Sequence, residues 1–216
     1  LYAPVDGVYE VEPEPAVAAS LFGDRIDRAR AFTAALAAHG EERGLIGPLE
    51  LPRLWTRHVL NSAIAAPLFP AGTVGDVGSG AGLPGLVLAI ARPDAQLVLI
   101  ETMERRVAWL NEQAAALELD NVEVVRTRSE DWTRGPVLDA VTARAVSALR
   151  TLIPITAPLV RDGGELILLK GAGAPNEITA ADKQIRRFKL TDVRVEVLGA
   201  GVIAEETRVV HATVRG

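Results

Sequence analysis

The sequence has no cysteine among its 216 residues, which excludes disulfides, thiolate metal sites and cysteine nucleophiles. Its three histidines are scattered, so we expect no metal site. No apolar run reaches the length of a membrane-spanning helix, and no basic-then-apolar leader precedes the first acidic stretch. We therefore expect a cytoplasmic protein that does not enter a membrane. No Gly-Lys-Ser or Gly-Lys-Thr follows a glycine-rich loop, which excludes a Walker phosphate loop.

The residues that are present are typical of a soluble globular protein, with 49% hydrophobic and 24% charged residues and a net charge of −5. The length suits one well-packed domain with a modest extra element. An acidic total does not exclude a nucleic-acid partner, because a local basic face matters more than the sum.

Residues 1–70 predict an N-terminal arm followed by a helical cap. Asp24 and Gly40 could begin and end one helix, and Pro52 could begin a second. Apolar residues recur on the inward face of each predicted helix: Ile26, Ala29, Phe32 and Leu36 in the first, and Leu54, Trp55, Val59 and Leu60 in the second.

Residues 71–216 alternate between strand and helix patterns and predict a second region. Five strands, "TVGDV", "QLVLIE", "VEVV", "LDAVTAR" and "GELILLK", are separated by helical segments, and "DVRVEVL" and "TRVVHATV" end the chain as an antiparallel hairpin. Such alternation favours a parallel sheet with helices on both faces. The predicted fold is α/β, a Rossmann-like seven-stranded methyltransferase sheet with a helical N-terminal extension.

The stretch "VGDVGSGAGLPGLVLAI", residues 74–90, places a glycine-rich loop between the first strand and a helix. Gly78, Gly80 and Gly82 allow positive φ and close approach of a ligand to the backbone. The segment "GAGLPG" has the glycine spacing of the dinucleotide fingerprint, so an NAD-dependent or nucleotide-sugar oxidoreductase is an alternative. Asp76 on the strand would repel a pyrophosphate and suits the sulfonium and ammonium groups of S-adenosylmethionine.

Other polar residues follow the ends of later strands, where a sheet of this kind binds its ligand. Glu101 could accept both ribose hydroxyls, and Ser129 and Glu130 follow the third strand, where methyltransferases of this class hold adenine. Arg144 and Lys170 end the fourth and fifth strands. Basic residues that could meet RNA lie on three predicted helices: Arg25, Arg28 and Arg30; Arg53, Arg57 and His58; and Lys183, Arg186, Arg187 and Lys189.

Four segments in their order and spacing, "DVGSGAGLPGLVLAI", "ETMERRVAWL", "TARAVSAL" and "LLKG", resemble the RsmG family (glucose-inhibited division protein B). The resemblance covers residues 20–216 and implies an S-adenosylmethionine-dependent methyltransferase acting on guanine N7 in 16S ribosomal RNA. It implies that residues 71–216 form the methyltransferase domain, and we expect a monomer. The family's helix motif is present as Arg57, His58, Asn61 and Ser62, with asparagine in place of the usual aspartate. By position, the family's cofactor contacts fall on Gly78, Leu83, Ser129, Glu130 and Arg144.

The residues themselves agree with chemistry at guanine N7. This nitrogen has a free lone pair at neutral pH, so its methylation needs positioning and exclusion of water rather than a general base. Arg144 is the candidate catalytic residue, donating to guanine O6 or to the RNA backbone. Arg57, His58, Lys170, Arg186 and Arg187 are the candidate RNA-binding residues. The same residues also leave open a small-molecule methyltransferase, or a module that senses S-adenosylmethionine or binds RNA without catalysis.

Overall fold

A computed structural model describes residues 10–135 and 137–216. Its centre is a seven-stranded sheet in the order β3-β2-β1-β4-β5-β7-β6. Strands β1 to β5 run parallel, and β7 is antiparallel to both β5 and β6. The strands are β1 (Thr73–Val77), β2 (Gln96–Glu101), β3 (Val122–Arg126), β4 (Leu138–Thr142), β5 (Val160–Lys170), β6 (Leu190–Leu198) and β7 (Thr207–Val214). The predicted fold class, with its terminal antiparallel hairpin, is confirmed.

Five helices follow β1 and cover the sheet on both faces: α4 (Gly85–Ala91), α5 (Glu104–Ala116), α6 (Leu149–Thr156), α7 (Ala174–Ala180) and α8 (Asp182–Arg187). Successive side chains of a strand point to opposite faces. In β2, Leu97 and Leu99 accordingly pack into the core beneath α4 and α5, whereas Val98 and Ile100 pack into the core beneath α6. The apolar runs of the central strands are thus explained by burial on both sides.

The N-terminal segment is helical but differs in detail from the sequence prediction. It contains α1 (Val17–Phe22), α2 (Ile26–His39), a 3₁₀ helix (Pro48–Arg53), a π-helical segment (Leu54–Val59) and α3 (Leu60–Ala63). Gly40 does end α2, but Asp24 lies in a separate 3₁₀ turn and makes no capping hydrogen bond. Pro52 lies inside the 3₁₀ helix rather than at the start of an α-helix.

The N-terminal helices share one core with a face of the sheet. Phe32, Leu36 and Leu54 are fully buried in the same cluster as Leu86 of α4. Of the predicted arm, residues 1–9 lie outside the described residues. None of the helices in the described part of the chain combines the length and the apolar character that a membrane crossing requires.

Candidate active site

The glycine loop after β1 takes the conformation that its residues predicted. Gly78, Gly80 and Gly82 have φ angles of 71°, 55° and 91°. Gly78 and Ser79 donate their backbone N–H groups to the Ile100 carbonyl, at 2.8 and 3.2 Å, which fixes the loop to the end of β2. A Cβ on Gly78 would lie 2.9 Å from a methyl carbon of Val146, so a side chain there would displace Val146 as well as strain the backbone.

Asp76 lies beneath this loop and supports it. The residue is 1% exposed, and its Oδ2 accepts the Gly85 N–H at 3.0 Å. Gly85 permits this approach, since a Cβ there would be 2.4 Å from the same oxygen. Burial raises the pKa of Asp76 to about 7. The glycine loop covers the carboxylate, so the predicted contact of Asp76 with a cationic ligand stays a prediction.

Glu101 is also turned towards the backbone rather than into open space. It is 4% exposed, and its Oε2 accepts the Gly80 N–H at 2.9 Å. Its Oε1 accepts the N–H groups of Thr102 and Met103 at 2.7 and 2.9 Å. Glu101 thus ties the end of β2 to the glycine loop, and its contact with a ribose stays a prediction.

A cavity of about 300 Å³, which we call the loop cavity, opens above the glycine loop. The structure brings Gly78, Gly80, Leu83 and Arg144 together in its wall. Ser129 and Glu130 form a short 3₁₀ turn after β3 and are not in that wall. The full lining is Leu45, Ile46, His58, Gly78, Ser79, Gly80, Ala81, Leu83, Arg106, Arg144 and Ala145.

A second cavity of about 430 Å³, which we call the charged cavity, lies beside the first at the carboxyl edge of β5. The side chain of Lys170 is only 9% exposed and is held by the Ser147 carbonyl at 2.7 Å and by Glu177 at 2.8 Å. Lys170 is therefore fixed in place by its neighbours. The lining is Arg57, Asn61, Arg144, Ala145, Leu169, Lys170, Gly171, Ala172, Glu205, Glu206 and Arg208.

Arg144 and Ala145 line both cavities and form the boundary between them. Arg144 pairs with Leu169 in an isolated bridge after β4, and Ala145 has a φ of 56°. The Nη2 group of Arg144 donates to the Arg57 carbonyl at 3.1 Å and to Nδ1 of His58 at 2.8 Å. Its Nη1 is buried without a hydrogen-bond partner among the described residues. Burial, reinforced by the nearby Arg57, lowers the pKa of Arg144 to about 10, so it remains a cation at neutral pH.

Arg186 and Arg187 lie near the amino ends of the parallel strands, whereas both cavities lie near the carboxyl ends. They end α8, which leads into β6 at Leu190, the residue paired with Val214 at the far end of β7. The charged cavity instead lies near the start of β7. Arg186 pairs with Asp182 at 2.8 Å, and the Arg187 guanidinium lies 5.4 Å from the centre of the Phe188 ring. Their predicted contact with RNA therefore concerns a surface separate from that of Arg57, His58 and Lys170, and it stays a prediction.

Sequence reasoning missed three side chains that contribute to the candidate site around the loop cavity. Glu50 is bonded to His58 at 2.6 Å, Arg106 lines the loop cavity, and Trp109 donates its indole N–H to the Ala81 carbonyl at 3.0 Å. Arg106 and Trp109 lie on the helix after Glu101, so their proximity to the loop could have been inferred from the βα order. Nothing in the sequence pairs Glu50 with His58, because that contact depends on the 3₁₀ and π-helical turns.

Comparison with known proteins agrees with this arrangement. Residues 25–207 match the family model described as GidB, rRNA small subunit methyltransferase G. The chain is 68% identical, over 95% of its length and 98% of the relative's, to ribosomal RNA small subunit methyltransferase G of Leifsonia xyli. It is 64% identical, over 94% and 97%, to the protein of that name from Clavibacter michiganensis.

Among solved structures, M. jannaschii TYW2 in complex with AdoMet superposes with a TM-score of 0.57 at 17% identity, covering 75% of this chain and 77% of that one. This likeness shows the fold. The family match decides between the two interpretations of "GAGLPG", in favour of the methyltransferase. On these grounds, the chain belongs to the rRNA small subunit methyltransferase G family.

Proposed function

We propose that this protein transfers a methyl group from S-adenosylmethionine to N7 of a guanine in 16S ribosomal RNA. The observation that carries the proposal is the meeting of the loop cavity and the charged cavity at Arg144 and Ala145. A methyl transferase needs a donor site and an acceptor site in contact. We also infer a monomer, and a ribosomal substrate implies a cytoplasmic location.

The loop cavity fits S-adenosylmethionine in shape. Its floor is the backbone of Gly78, Ser79 and Gly80, and a Cβ on Gly80 would meet only the Gly78 carbonyl oxygen, at 3.7 Å. The space beside the loop is therefore open to a ligand. Such bare backbone lets a ligand come within hydrogen-bond distance of the main chain.

The loop cavity also fits S-adenosylmethionine in charge, because this ligand carries two cationic groups and a carboxylate. The carboxylates of Asp76 and Glu101 lie directly behind the loop, and the guanidinium groups of Arg106 and Arg144 lie in the wall. We infer that Gly78, Gly80, Leu83 and Arg144 hold the cofactor, with Ser129 and Glu130 beside it. When bound, the cofactor supplies a methyl group on a positively charged sulfur.

The charged cavity suits a nucleotide as the acceptor. Arg57 and Arg208 offer cations for phosphate, and Glu205 and Glu206 offer acceptors for the N–H groups of a base edge. Methylation at N7 does not require a proton to be removed, which suits a site whose histidine is fully engaged. His58 has both ring nitrogens in hydrogen bonds, and burial, followed by the charge of Arg144, lowers its pKa to about 4.

Arg144 orients the base in this proposal. Arg144 lines both cavities, and its guanidinium can donate to guanine O6, the acceptor beside N7. A donor on N7 itself would occupy the attacking lone pair, so productive binding uses O6 or a phosphate. Water is kept from the methyl group by Leu45, Ile46 and Leu83, which line the loop cavity.

The test is transfer of isotope-labelled methyl to small-subunit RNA, followed by nucleoside mass spectrometry. Free 16S RNA, precursor particles and assembled small subunits are assayed side by side with the purified protein. We expect label in 7-methylguanosine from at least one of these substrates, and 16S RNA from a strain lacking the gene should lack this nucleoside. Label on an exocyclic amine or a ribose hydroxyl would contradict the proposal, as would calorimetric binding of NAD in place of S-adenosylmethionine.

A further inference from the structure

We propose that Glu50 and His58 form a positioning relay that holds Arg144 at the boundary of the two cavities. The inference rests on the proposed function and adds two residues of the N-terminal segment to the methyl-transfer site. Neither is a catalytic residue, since both act through Arg144. The helical N-terminal segment then contributes to the reaction itself as well as to the core.

The relay is a chain of two hydrogen bonds. Nη2 of Arg144 lies 2.8 Å from Nδ1 of His58, and Nε2 of His58 lies 2.6 Å from Oε2 of Glu50. An arginine can only donate, so Nδ1 of His58 must accept and carry no proton. The proton of the neutral ring is then on Nε2, where it is donated to the Glu50 carboxylate. Glu50 thereby selects the tautomer that Arg144 requires.

The charges around the relay keep His58 in this neutral form. Among the described residues, the charges that act on its ring are those of Arg144, Glu50 and Arg57. Burial and the charge of Arg144 oppose protonation more strongly than Glu50 favours it. Glu50 remains ionised, because hydrogen bonds from Arg53 and His58 outweigh its burial and lower its pKa. Neutral His58 can thus accept a hydrogen bond from the Arg144 cation across the neutral pH range.

Arg144 needs such support because a long side chain has many rotamers. The guanidinium is planar, so fixing Nη2 through His58 and the Arg57 carbonyl also fixes the direction of Nη1. Nη1 is buried and has no hydrogen-bond partner among the described residues. The relay therefore determines where the remaining donors of the Arg144 guanidinium point.

Two substitutions of His58 separate the two halves of the relay. In His58→Asn the carboxamide oxygen can take the place of Nδ1 and accept from Arg144, whereas the link to Glu50 is lost. In His58→Gln the longer carboxamide reaches the place of Nε2 and can still meet Glu50, but the acceptor at the place of Nδ1 is lost, and only the Arg57 carbonyl still accepts from Nη2 of Arg144. A matched control is His39→Asn, at the exposed end of α2.

At saturating cofactor and RNA, we expect His58→Gln to lower kcat about tenfold or more, since small misplacements in a reacting geometry have effects of up to roughly 10². His58→Asn should lower it by only about threefold, the scale of one hydrogen bond. His39→Asn should match the wild type. Thermal unfolding and cofactor binding identify any variant that has simply misfolded, and the comparison is made between variants with the same unfolding temperature.

The second measurement does not depend on activity. Nitrogen-15 NMR of the wild-type protein at pH 7 should show His58 neutral, with the proton on Nε2. Equal activity of the Asn and Gln variants, or a proton on Nδ1, would overturn the relay. Absence of 7-methylguanosine with wild-type protein would instead contradict the proposed function, so the two failures are distinguishable.

Discussion

The loop cavity and the charged cavity meet at one arginine but are built in different ways. The loop cavity has a floor of main chain, held by buried carboxylates and by glycine dihedrals. The charged cavity is lined by side chains from the π-helical segment, from β5 and from the loop before β7. Backbone geometry should therefore control cofactor binding, and individual side-chain charges should control RNA binding. A substitution that disturbs the main chain of the loop cavity should spare RNA binding. One that removes a charge from the charged cavity should spare cofactor binding.

The largest effect is expected from Gly78→Val, which should abolish binding of S-adenosylmethionine and leave RNA affinity intact. A valine at φ 71° is strained by about 1–2 kcal/mol, and its branched side chain would also collide with Val146. Calorimetry with the cofactor measures the loss. Gly163→Val is the matched control, since Gly163 has a φ of 74° but lies at the start of β5, away from both cavities. Equal cofactor binding in the two variants would remove the loop from the site.

Glu101→Gln should weaken both the fold of the loop and cofactor binding. The carboxylate accepts three backbone N–H groups, and the amide NH₂ of glutamine would face one of these donors. Loss of a charge-assisted hydrogen bond predicts a decrease of about 1–3 kcal/mol in the free energy of unfolding and a comparable decrease in cofactor affinity. If Glu101 contacted only the cofactor, affinity would fall without a change in the free energy of unfolding. Denaturant unfolding of the free protein decides between the two.

Arg57→Gln should weaken RNA binding and spare the cofactor. Removing one phosphate contact lowers the slope of log affinity against log salt by about 0.7–0.9. The comparison is the double substitution of Arg186 and Arg187, which lie away from both cavities. For that variant we expect weaker RNA binding with an unchanged rate of methyl transfer at saturating RNA. A larger rate effect from the Arg186 and Arg187 pair than from Arg57 would place the acceptor site elsewhere.

The smallest effect is a pH dependence of stability. His58 is 13% exposed on its side chain, and its pKa of about 4 in the folded protein lies below the ordinary value of 6.5. Between these two values the unfolded chain binds a proton that the folded protein does not, so stability falls as the pH falls through this window.

Each pKa unit corresponds to about 1.4 kcal/mol. The wild type should therefore lose at least about 1 kcal/mol more than His58→Asn between pH 7 and pH 5. Because both proteins contain Asp76, whose raised pKa acts in the opposite direction, its contribution cancels in the difference. Parallel losses in the two proteins would show that His58 is not shielded from protonation.

The sequence predicts the sheet well because its signals are local. Alternating strand and helix patterns predict that the first five strands run parallel. The glycine spacing predicts that Gly78, Gly80 and Leu83 lie in one loop beside the ligand. Burial is a property of the folded chain, so the covered position of Asp76 could not be read from its neighbours in sequence. The placement of Arg186 and Arg187 depends on the direction of β6 after α8, and the amino-acid composition does not determine that direction. The contact of Glu50 with His58 crosses a π-helical segment that no periodic pattern predicts.

The most direct test of the account is single-turnover methyl transfer by Arg144→Ala with cofactor and RNA both bound at saturating concentrations. Removing one donor aimed at a reacting group typically lowers a rate by about 10²–10³. We predict a loss of that size in the formation of 7-methylguanosine, with a smaller loss of cofactor affinity. A wild-type rate in this variant, measured with both ligands bound, would contradict the claim that Arg144 joins the two cavities into one active site.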